Sequence, residues 1–287
     1  MSLAIEAMEA AFGDDIEVPV RIRLGPSLFM PGCVEGFTGI KVVSTVPGKP
    51  VGIVAVFDGE GDPVGIVDAA TLTAIRTAAG AGLATRILSR PDARTVAMLG
   101  AGAMAPDLVD AVAEVRPIDD VVVWSRTEER AKQLAGRIGG SATQEAEEAV
   151  AVADIVCTAT PSRQALFGSS AVRPGTHINA VGAFTPEMAE IPRDVVERAL
   201  VYVDDREAAA AEAGDLIQAG REPDGSIADL LAGRVGGRTG HDDVTLFKSV
   251  GIASQDVAAA AWALRRAAEQ DLGVEVASPP VTPPAAR

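Results

Sequence analysis

A glycine-rich turn between a buried strand and a helix constrains this fold more than any other feature. Thr95–Leu99 is a predicted buried strand, and Gly100-Ala101-Gly102-Ala103-Met104-Ala105 follows it and opens a helix. In this G-x-G-x-x-A pattern, Gly100 permits the tight turn, Gly102 lets a pyrophosphate approach the backbone, and Ala105 allows the helix to pack closely on the strand. The N–H groups of the first helical turn are free to bind phosphate. Because a second strand follows about 20 residues later, the pattern predicts a dinucleotide-binding domain.

Strands and helices alternate from this turn onward, which predicts a doubly wound parallel sheet. The predicted strands are Thr95–Leu99, Asp120–Trp124, Asp154–Thr158, His177–Val181 and Leu200–Val203, and the predicted helices are Ala103–Val115, Thr127–Ile138 and Gln144–Val152. We therefore expect a Rossmann domain over residues 93–239.

The two ends of the chain predict a second domain of α+β type, over residues 1–92 and 240–287. An amphipathic helix over Ala4–Phe12 is followed by segments rich in β-branched residues, which predict an antiparallel sheet. These segments are Val18–Leu24, Thr38–Ser44, Val51–Phe57 and Pro63–Val67. Asp68 is expected to cap a helix over Thr71–Leu88, and Val244–Glu269 is predicted to form one long helix. The Pro-rich tail Ser278–Arg287 is expected to be disordered.

The charge of the chain excludes several classes of partner. It has 40 acidic and 25 basic residues, a formal net charge of -15, and no cluster of basic residues. Nucleic acids and anionic membranes both require such clusters, so neither is expected as a partner. The chain has no basic, apolar leader segment and no apolar run of roughly 18 residues, so we expect a soluble, cytoplasmic protein.

The few cysteines and histidines indicate neither a disulfide framework nor a metal site. Cys33 and Cys157 are far apart, and Cys157 lies in an apolar segment typical of a small core residue. His177 begins a predicted strand and is expected to be structural, whereas His241 lies in a polar loop. Neither histidine has a Ser or Cys partner of the kind that a catalytic triad requires.

The end of the second Rossmann strand bears on the choice of nucleotide. NAD enzymes usually carry Asp or Glu there, which binds the ribose 2′-hydroxyl. This chain has Trp124-Ser125-Arg126-Thr127, with no acid before Glu128. Arg126 and the hydroxyls of Ser125 and Thr127 offer the cation and donors that a 2′-phosphate prefers. We therefore expect NADP(H) to be preferred, with NAD(H) possible. The alternative is that Arg126 is a solvated surface residue and Thr127 only a helix cap.

Three cations in the first domain lie in otherwise apolar segments, namely Arg21, Lys41 and Arg76. A charge in such surroundings is either exposed on a polar face or paired with an anion. Arginine binds a carboxylate through two parallel hydrogen bonds, and lysine can act as an acid when its pKa is shifted. Next to a dinucleotide site, the three residues are candidates for binding a substrate carboxylate.

In the order of its segments, the chain resembles the ornithine cyclodeaminase/μ-crystallin family from about residue 18 to residue 260. The segments are VPVR (18–21), MP (30–31), GIK (39–41), LTAIRTAA (72–79), LGAG (99–102), ADIVCTAT (153–160), GTHINAVG (175–182), VDDREAAAAEAGD (203–215) and VTLFKSVG (244–251). The resemblance implies a Rossmann domain inserted into a dimer-forming substrate domain. It also implies that Arg21, Lys41 and Arg76 surround the substrate carboxylate near the nicotinamide. The residues implied to line the cofactor site are Thr77, Thr158, Ala159, Thr160, Asn179, Val181 and Ser249.

Departures from the family pattern bear on the reaction. Ornithine cyclodeaminases carry an Asp two residues after the VG of the INAVG segment, where this chain has Phe184. A second acid, just before MP, is matched here by Leu28-Phe29. The resemblance places Met30 and Phe184 in the substrate pocket, so we expect an apolar or cyclic substrate side chain rather than a diamine. Met104 replaces a Gln common among relatives, and nothing in the sequence explains that change.

The sequence thus predicts an NAD(P)H-dependent oxidoreductase that acts on a small α-imino or α-amino acid. Arg21 and Arg76 are expected to orient the carboxylate, and Lys41 to stabilise or protonate the nitrogen or oxygen that gains charge. Three alternatives remain open. They are an ornithine cyclodeaminase that recycles NAD, a non-catalytic NADPH-dependent binding protein, and a Rossmann protein of unrelated chemistry.

Overall fold

The structure, a computed structural model, describes residues 1–13, 16–46, 48 and 51–276. The strands in this part of the chain are β1 (Ile16–Glu17), β2 (Ile22–Leu24), β3 (Ser27–Val34), β4 (Phe37–Ser44), β5 (Gly52–Phe57), β6 (Pro63–Asp68), β7 (Thr95–Leu99), β8 (Asp120–Trp124), β9 (Ser141–Ala142), β10 (Ile155–Thr158), β11 (His177–Ala180), β12 (Leu200–Val203), β13 (Gly225–Ser226) and β14 (Thr245–Lys248). The α-helices are α1 (Ser2–Ala11), α2 (Ala69–Leu88), α3 (Ala105–Val115), α4 (Glu128–Ile138), α5 (Ala146–Val152), α6 (Arg193–Arg198), α7 (Arg206–Glu212), α8 (Gly214–Ala219), α9 (Ile227–Leu231) and α10 (Ala253–Glu269), and Ser169–Ala171 form a 3-10 turn. The predicted tail Ser278–Arg287 lies outside the described residues.

The first sheet is antiparallel, in the order β1-β3-β4-β5-β6 with β2 paired to β3. Glycines on three strands allow α10 to lie directly on one face of it. A Cβ at Gly32, Gly39 or Gly65 would come within 2.9 Å of Ala253, Val257 or Leu264 of this helix. The inward residues of the central strands are therefore buried, and the opposite face carries half-buried and exposed apolar residues.

Helix α2 joins this sheet to the rest of the molecule. Asp68 caps it by accepting a hydrogen bond from the Thr71 N–H at 2.8 Å, as predicted. Its small residues allow close packing, since a Cβ at Gly82 would lie 2.8 Å from Ile5 of α1 and 3.1 Å from the carbonyl oxygen of Ala111 in α3. The helix is buried over most of its length, so the residues it carries toward the second sheet are held firmly.

The second sheet is parallel throughout, in the order β13-β12-β14-β11-β10-β7-β8-β9. The chain leaves β7 toward β8 on one side and later returns to β10 on the other. The carboxyl ends of β7 and β10 therefore flank the crevice at which such sheets bind their ligands. The predicted α/β fold, a Rossmann-type sheet combined with an antiparallel-sheet domain, is confirmed.

Two parts of the predicted secondary structure were wrong. Strand β3 was missed, and the predicted strand Val18–Leu24 forms regular strand only at Ile22–Leu24. The long helix predicted over Val244–Glu269 begins only at Ala253, because Thr245–Lys248 forms a strand between β11 and β12. A four-residue strand that is buried on both faces lacks the alternation of apolar and polar residues by which strands are recognised. The segment was therefore assigned to the alanine-rich helix that follows it.

The position of β14 also bears on the domain division. The strand falls within residues 240–287, which the sequence assigned to the substrate domain, yet it pairs with the parallel sheet. We propose that the chain returns to the first domain after Lys248 rather than at residue 240. Among the described residues, no helix combines the length and apolar character needed to cross a membrane.

Candidate active site

Two buried cations share one carboxylate at the inner face of the antiparallel sheet. Lys41 lies on β4 and Arg76 on α2, and both contact Asp256, a fully buried residue in the first turn of α10. Lys41 Nζ lies 2.9 Å from Oδ1 and 2.8 Å from Oδ2 of Asp256, and Arg76 Nε donates to Oδ1 at 3.0 Å. Arg76 Nη1 also donates to Gln255 Oε1 at 2.7 Å. Lys41, Arg76 and Asp256 are called the ion cluster below.

Burial gives Lys41 the properties of an acid–base group. Its pKa is lowered from 10.5 to about 8, chiefly by removal from water; Asp256 opposes this shift, and the neighbouring charges of Arg76 and Arg21 add to it. Met30 is its partner across the β3–β4 pair, so a buried apolar side chain lies beside Lys41 on the same face of the sheet. An amine with this pKa gives up or takes a proton near neutral pH.

Arg21 joins the two domains from the segment between β1 and β2. Its Nη2 donates to the carbonyl oxygen of Gly251 at 2.6 Å and lies 3.2 Å from Oε2 of Glu212, at the end of α7. Burial raises the pKa of Glu212, Arg21 lowers it, and Asp204 raises it. Arg21 thus contacts α7 of the parallel-sheet domain and the segment that follows β14, although it belongs to the antiparallel-sheet domain.

The segment after β14 gathers these groups. Gly251 has a φ of +81°, and a Cβ there would lie 2.8 Å from both Nη1 and Nη2 of Arg76. Only glycine fits against the guanidinium in this conformation. Asp204, at the end of β12, holds the segment by accepting hydrogen bonds from the Ser249 hydroxyl at 2.9 Å and the Gly251 N–H at 2.6 Å. Burial raises the pKa of Asp204.

The predicted dinucleotide turn lies at the carboxyl end of β7. Gly100 has a φ of +120°, and a Cβ on it would lie 2.6 Å from the carbonyl oxygen of Ala159. Gly102 and Ala103 are exposed, and no atom lies within 4 Å of where a Cβ on Gly102 would be. Met104 is half-buried at the start of α3 and packs against the core. The turn therefore presents open backbone in front of a helix N-terminus.

The loops after β10 and β11 form the other side of the crevice. Thr158 is fully buried, and its Oγ1 has no hydrogen-bond partner in the described part of the chain. Thr160 donates to Glu190 Oε1 through its N–H at 2.7 Å and its hydroxyl at 2.8 Å. Oε2 of Glu190 accepts from the Gly182 N–H at 2.8 Å, next to the buried Val181. Glu190, whose pKa burial raises, thus ties the two loops together.

The residues predicted to bind a 2′-phosphate follow β8. Ser125 Oγ accepts a hydrogen bond from the Thr127 N–H at 3.4 Å. Thr127 occupies the N-cap position of α4 without a side-chain cap bond, so its hydroxyl is not used there. Arg126 is exposed and makes no hydrogen bond or ion pair with the residues that the structure describes.

The other predicted site residues differ in their exposure and contacts. The Asn179 side chain is buried beneath the sheet, where Nδ2 donates to Thr85 Oγ1 at 2.8 Å and Oδ1 lies 3.2 Å from Nε2 of His177. Its side chain is thus engaged by core residues, and its place in the cofactor site stays a prediction. Thr77 is buried on α2, and Phe184 is 53% exposed in the loop after β11. No cluster of His, Cys, Asp or Glu suited to a metal occurs among the described residues.

Sequence analysis missed the carboxylates of the site. These are Asp256, Glu212, Asp204 and Glu190. Asp256 precedes the buried run 257–261, so it is a charge in apolar sequence, the same signal that singled out Lys41 and Arg76. The signal was overlooked because the sequence predicted one helix from Val244 onward. Asp256 then fell inside a long helix instead of in the first turn of α10, where it lies.

The crevice fits a nicotinamide dinucleotide. The open backbone at Gly102 and the N-terminus of α3 suit a pyrophosphate, and the unpaired Thr158 Oγ1 is a buried polar atom that lacks a partner. Val181 and Ser249 follow β11 and β14 at the same edge of the sheet, and Ser249 belongs to the segment that lies against Arg76 at Gly251. The residues that would hold a dinucleotide here are those that follow β7, β10, β11 and β14 at this edge.

Comparison with known proteins gives the family. The sequence profile of the ornithine cyclodeaminase/mu-crystallin family matches residues 14–271. The chain belongs to this family. The Δ1-pyrroline-2-carboxylate reductase of Bacillus cereus is 36% identical to it over 283 residues, 90% of this chain and 87% of the relative. The ketimine reductase mu-crystallin of Macropus fuliginosus is 32% identical over 230 residues, 79% of this chain and 72% of the relative.

A solved structure of a reductase is also similar to this chain. That of Thermococcus litoralis Δ1-pyrroline-2-carboxylate reductase in complex with NADH and L-proline matches with a TM-score of 0.89 at 29% identity, over 95% of each chain. This family member is therefore an NAD(P)-dependent oxidoreductase of the ornithine cyclodeaminase/mu-crystallin type.

Proposed function

We propose that this family member reduces the C=N bond of a small cyclic α-imino acid. The observation that carries the proposal is the ion cluster, in which a buried lysine with a pKa of about 8 and a buried arginine share the carboxylate of Asp256. The reductases named above act on imines of this class, which supports the same chemistry here.

The charges of the site favour a substrate with one carboxylate. Arg21, Lys41 and Arg76 supply three positive charges, and their direct partners Asp256 and Glu212 supply two negative ones. One positive charge is left, which a single substrate carboxylate neutralises. This balance counts direct ion pairs only: Asp204 is close enough to raise the pKa of Glu212, but its described hydrogen-bond partners are N–H groups and the Ser249 hydroxyl rather than the three cations.

The proposed reaction assigns a separate task to each cation. Arg76 and Arg21 hold the carboxylate, which fixes the C=N carbon in the crevice. A bound nicotinamide supplies hydride to that carbon. The π electrons of the C=N bond move to nitrogen, and the Lys41 ammonium provides the proton that nitrogen takes up. In the reverse direction, neutral Lys41 accepts that proton from the amine.

The surroundings of the cluster favour this reaction over cyclodeamination of ornithine. The substrate pocket that we propose has Met30 next to Lys41 and Phe184 at its mouth, where ornithine cyclodeaminases carry an acid. Glu212 is engaged by Arg21, so it is not free to hold a distal amine. An apolar, cyclic substrate side chain matches these residues better than a diamine.

We also propose that NADP(H) is the preferred cofactor. The free guanidinium of Arg126 and the unused hydroxyl of Thr127 lie after β8, where the ribose of the adenosine half binds in this fold. The NADH complex of the Thermococcus litoralis relative keeps NAD(H) as the competing possibility.

A homodimer is proposed through the open face of the antiparallel sheet. Rows of apolar side chains cross that face, and α10 covers only the opposite one. One row is Ile22, Phe29, Val42 and Ile53, and the next is Pro31, Ile40, Ala55 and Ile66. An apolar face of this extent is typical of a surface that another protein covers.

The test is a substrate panel. Purified protein is mixed with NADPH, or with NADH, and with five- and six-membered cyclic 2-imino acids or with 2-oxo acids plus ammonia or methylamine. L-Ornithine is assayed beside them. We expect NADPH consumption on a cyclic imine and no reaction of ornithine. Formation of proline and ammonia from ornithine would establish the cyclodeaminase instead, and tight NADPH binding without turnover would favour a binding protein.

A further inference from the structure

Asp256 contacts two of the three cations to which we assigned roles in the reaction, Lys41 and Arg76. Its side chain is fully buried, Oδ1 and Oδ2 lie 2.9 and 2.8 Å from Lys41 Nζ, and Oδ1 accepts from Arg76 Nε. No described group of the parallel-sheet domain contacts its carboxylate. Within the described part of the chain, the hydrogen bonds and ion pairs of its carboxylate are therefore with Lys41 and Arg76.

The hydrogen bonds of Arg76 show which nitrogen of its guanidinium remains available to a ligand. Nε is used by Asp256 and Nη1 by Gln255, the residue before it on α10. Nη2 makes no hydrogen bond with any residue that the structure describes. It lies beside Gly251, which leaves room because it has no side chain. Helix α10 thus fixes two edges of the guanidinium and leaves one for a ligand.

Lys41 also has few hydrogen-bond partners among the described residues. Besides Asp256, Nζ has one weak partner, Thr73 Oγ1 at 3.4 Å. The charged groups that act on it are Asp256, Arg76 and Arg21, of which only Asp256 is negative. Without that carboxylate, the ammonium would face two guanidinium groups in a site away from water. Its charged form would then be strongly disfavoured.

We propose that Asp256 is the positioning residue of the reaction, which keeps Lys41 in its ammonium form and aims both Lys41 Nζ and Arg76 Nη2 at the substrate. The role rests on the proposed function for its chemical consequence, but the charge state of Lys41 can be measured without any substrate. Asp256 itself acts through Lys41 and Arg76 and does not contact the reacting atoms.

If Asp256 only stabilised the fold, its replacement would have the same effect as the replacement of any other buried ion-pair partner. Replacing a buried ion pair by groups of similar shape often changes stability little, while removing one partner is costly wherever the pair lies. The chain offers a control of this kind, because Lys248 and Asp215 form a second fully buried pair at 2.8 Å. Asp215 also accepts hydrogen bonds from the N–H groups of Glu190 and Ile191, and it contacts none of the three cations of the site.

The experiment uses the small number of lysines. The chain has four, Lys41, Lys49, Lys132 and Lys248, so ¹⁵N-lysine labelling gives few Nζ signals, and Lys41→Arg assigns one by its loss. In the wild type we expect the Lys41 signal to titrate near pH 8. In Asp256→Asn we expect its midpoint to fall by about one pH unit or more, a tenfold loss of proton affinity. Asp215→Asn should leave it unchanged.

Turnover of the same variants completes the test. In Asp256→Asn, the alkaline limb of kcat/KM for imine reduction should move to lower pH together with the Lys41 midpoint. Asp256→Glu retains the charge but displaces it, so it should keep the wild-type midpoint while kcat falls. This variant also keeps the test valid if Asp256→Asn does not fold.

An unchanged Lys41 midpoint in folded Asp256→Asn, or a displaced midpoint in Asp256→Glu, would overturn the assignment of Asp256. A wild type that shows the expected titration but reduces no imine would instead overturn the proposed function and leave the electrostatic role of Asp256 in place.

Discussion

The carbonyl oxygen of Gly251 accepts a hydrogen bond from the Arg21 guanidinium at 2.6 Å. The same glycine lies against Arg76, so one residue sets the separation of both arginines. Arg21 comes from the segment between β1 and β2 and Arg76 from α2, and neither element alone fixes that distance. The short segment after β14 does so, held in turn by Asp204.

Gly251→Ala should therefore damage catalysis more than stability. The new Cβ would lie 2.8 Å from Arg76, and displacing a substrate-binding group by about 1 Å costs on the order of 100-fold in rate. We expect kcat/KM for the imine to fall by that order. Gly220→Ala is the matched control, because Gly220 also has a positive φ but open space around it. Both variants should lose roughly 1–2 kcal/mol of unfolding free energy, and only the first should lose activity.

The pH dependence should have opposite signs in the two directions of reaction. Reduction uses the Lys41 ammonium, so its kcat/KM should fall as pH rises through about 8. Oxidation of the amino acid uses the neutral amine, so its kcat/KM should rise through the same pH. Steady-state rates from pH 6 to 10 in both directions provide the check, and equal slopes in the two directions would exclude Lys41 as the proton carrier.

Replacement of Arg126 should separate the two nicotinamide cofactors. Loss of a charge-assisted contact to a 2′-phosphate costs about 1.5–3 kcal/mol, so NADPH affinity should fall roughly 10- to 100-fold in Arg126→Ala. NADH affinity should change little. Fluorescence titration measures both, with Arg130→Ala as an exposed control on α4. A wild type that binds NADH as tightly as NADPH would refute the preference.

Stability toward acid should depend on His177. Burial, followed by the charge of Arg238, lowers its pKa to about 3, below the value of about 6.5 expected in the unfolded chain. The unfolded chain therefore binds a proton that the folded protein does not, and stability is lost as pH falls from about 6.5 toward 3, by up to roughly 1.4 kcal/mol per unit. Urea unfolding at pH 5 and 7.5 should show a smaller difference between the two pH values in His177→Gln than in the wild type. The exposed His241→Gln should match the wild type.

The proposed dimer predicts a clear result for Ile66→Lys. This residue is 64% exposed on the open face of the antiparallel sheet, so a charge there should prevent a second copy from covering that face. Sedimentation should give a dimer for the wild type and a monomer for the variant. Val152→Lys, at an exposed apolar residue of the other domain, should remain a dimer. A wild type that sediments as a monomer would remove the proposal.

The sequence predicted the dinucleotide turn and the strands around it well, because the roles of Gly100 and Gly102 depend on the local backbone alone. Gly100 permits a tight turn, and Gly102 leaves the backbone open. The bounds of β7, β8 and β12 agree with the prediction to the residue. Lys41 and Arg76 were found because charges in apolar sequence are conspicuous, and the structure brings them together on Asp256. Asp256 itself, Glu212 and the inward direction of Asn179 depend on contacts between distant segments, which no local pattern contains.

Strand β14 is the last strand in the described part of the chain, yet it lies between β11 and β12 in the middle of the parallel sheet. During synthesis on a ribosome, the β7–β11 portion and the β12–β13 pair exist before the strand that connects them. Their facing edges remain unpaired until residue 248 has emerged, and unpaired edges are where strands of other chains attach. The sheet is therefore completed only when nearly all of the chain has been made, which makes truncation before Thr245 a route to aggregation rather than to a smaller folded domain.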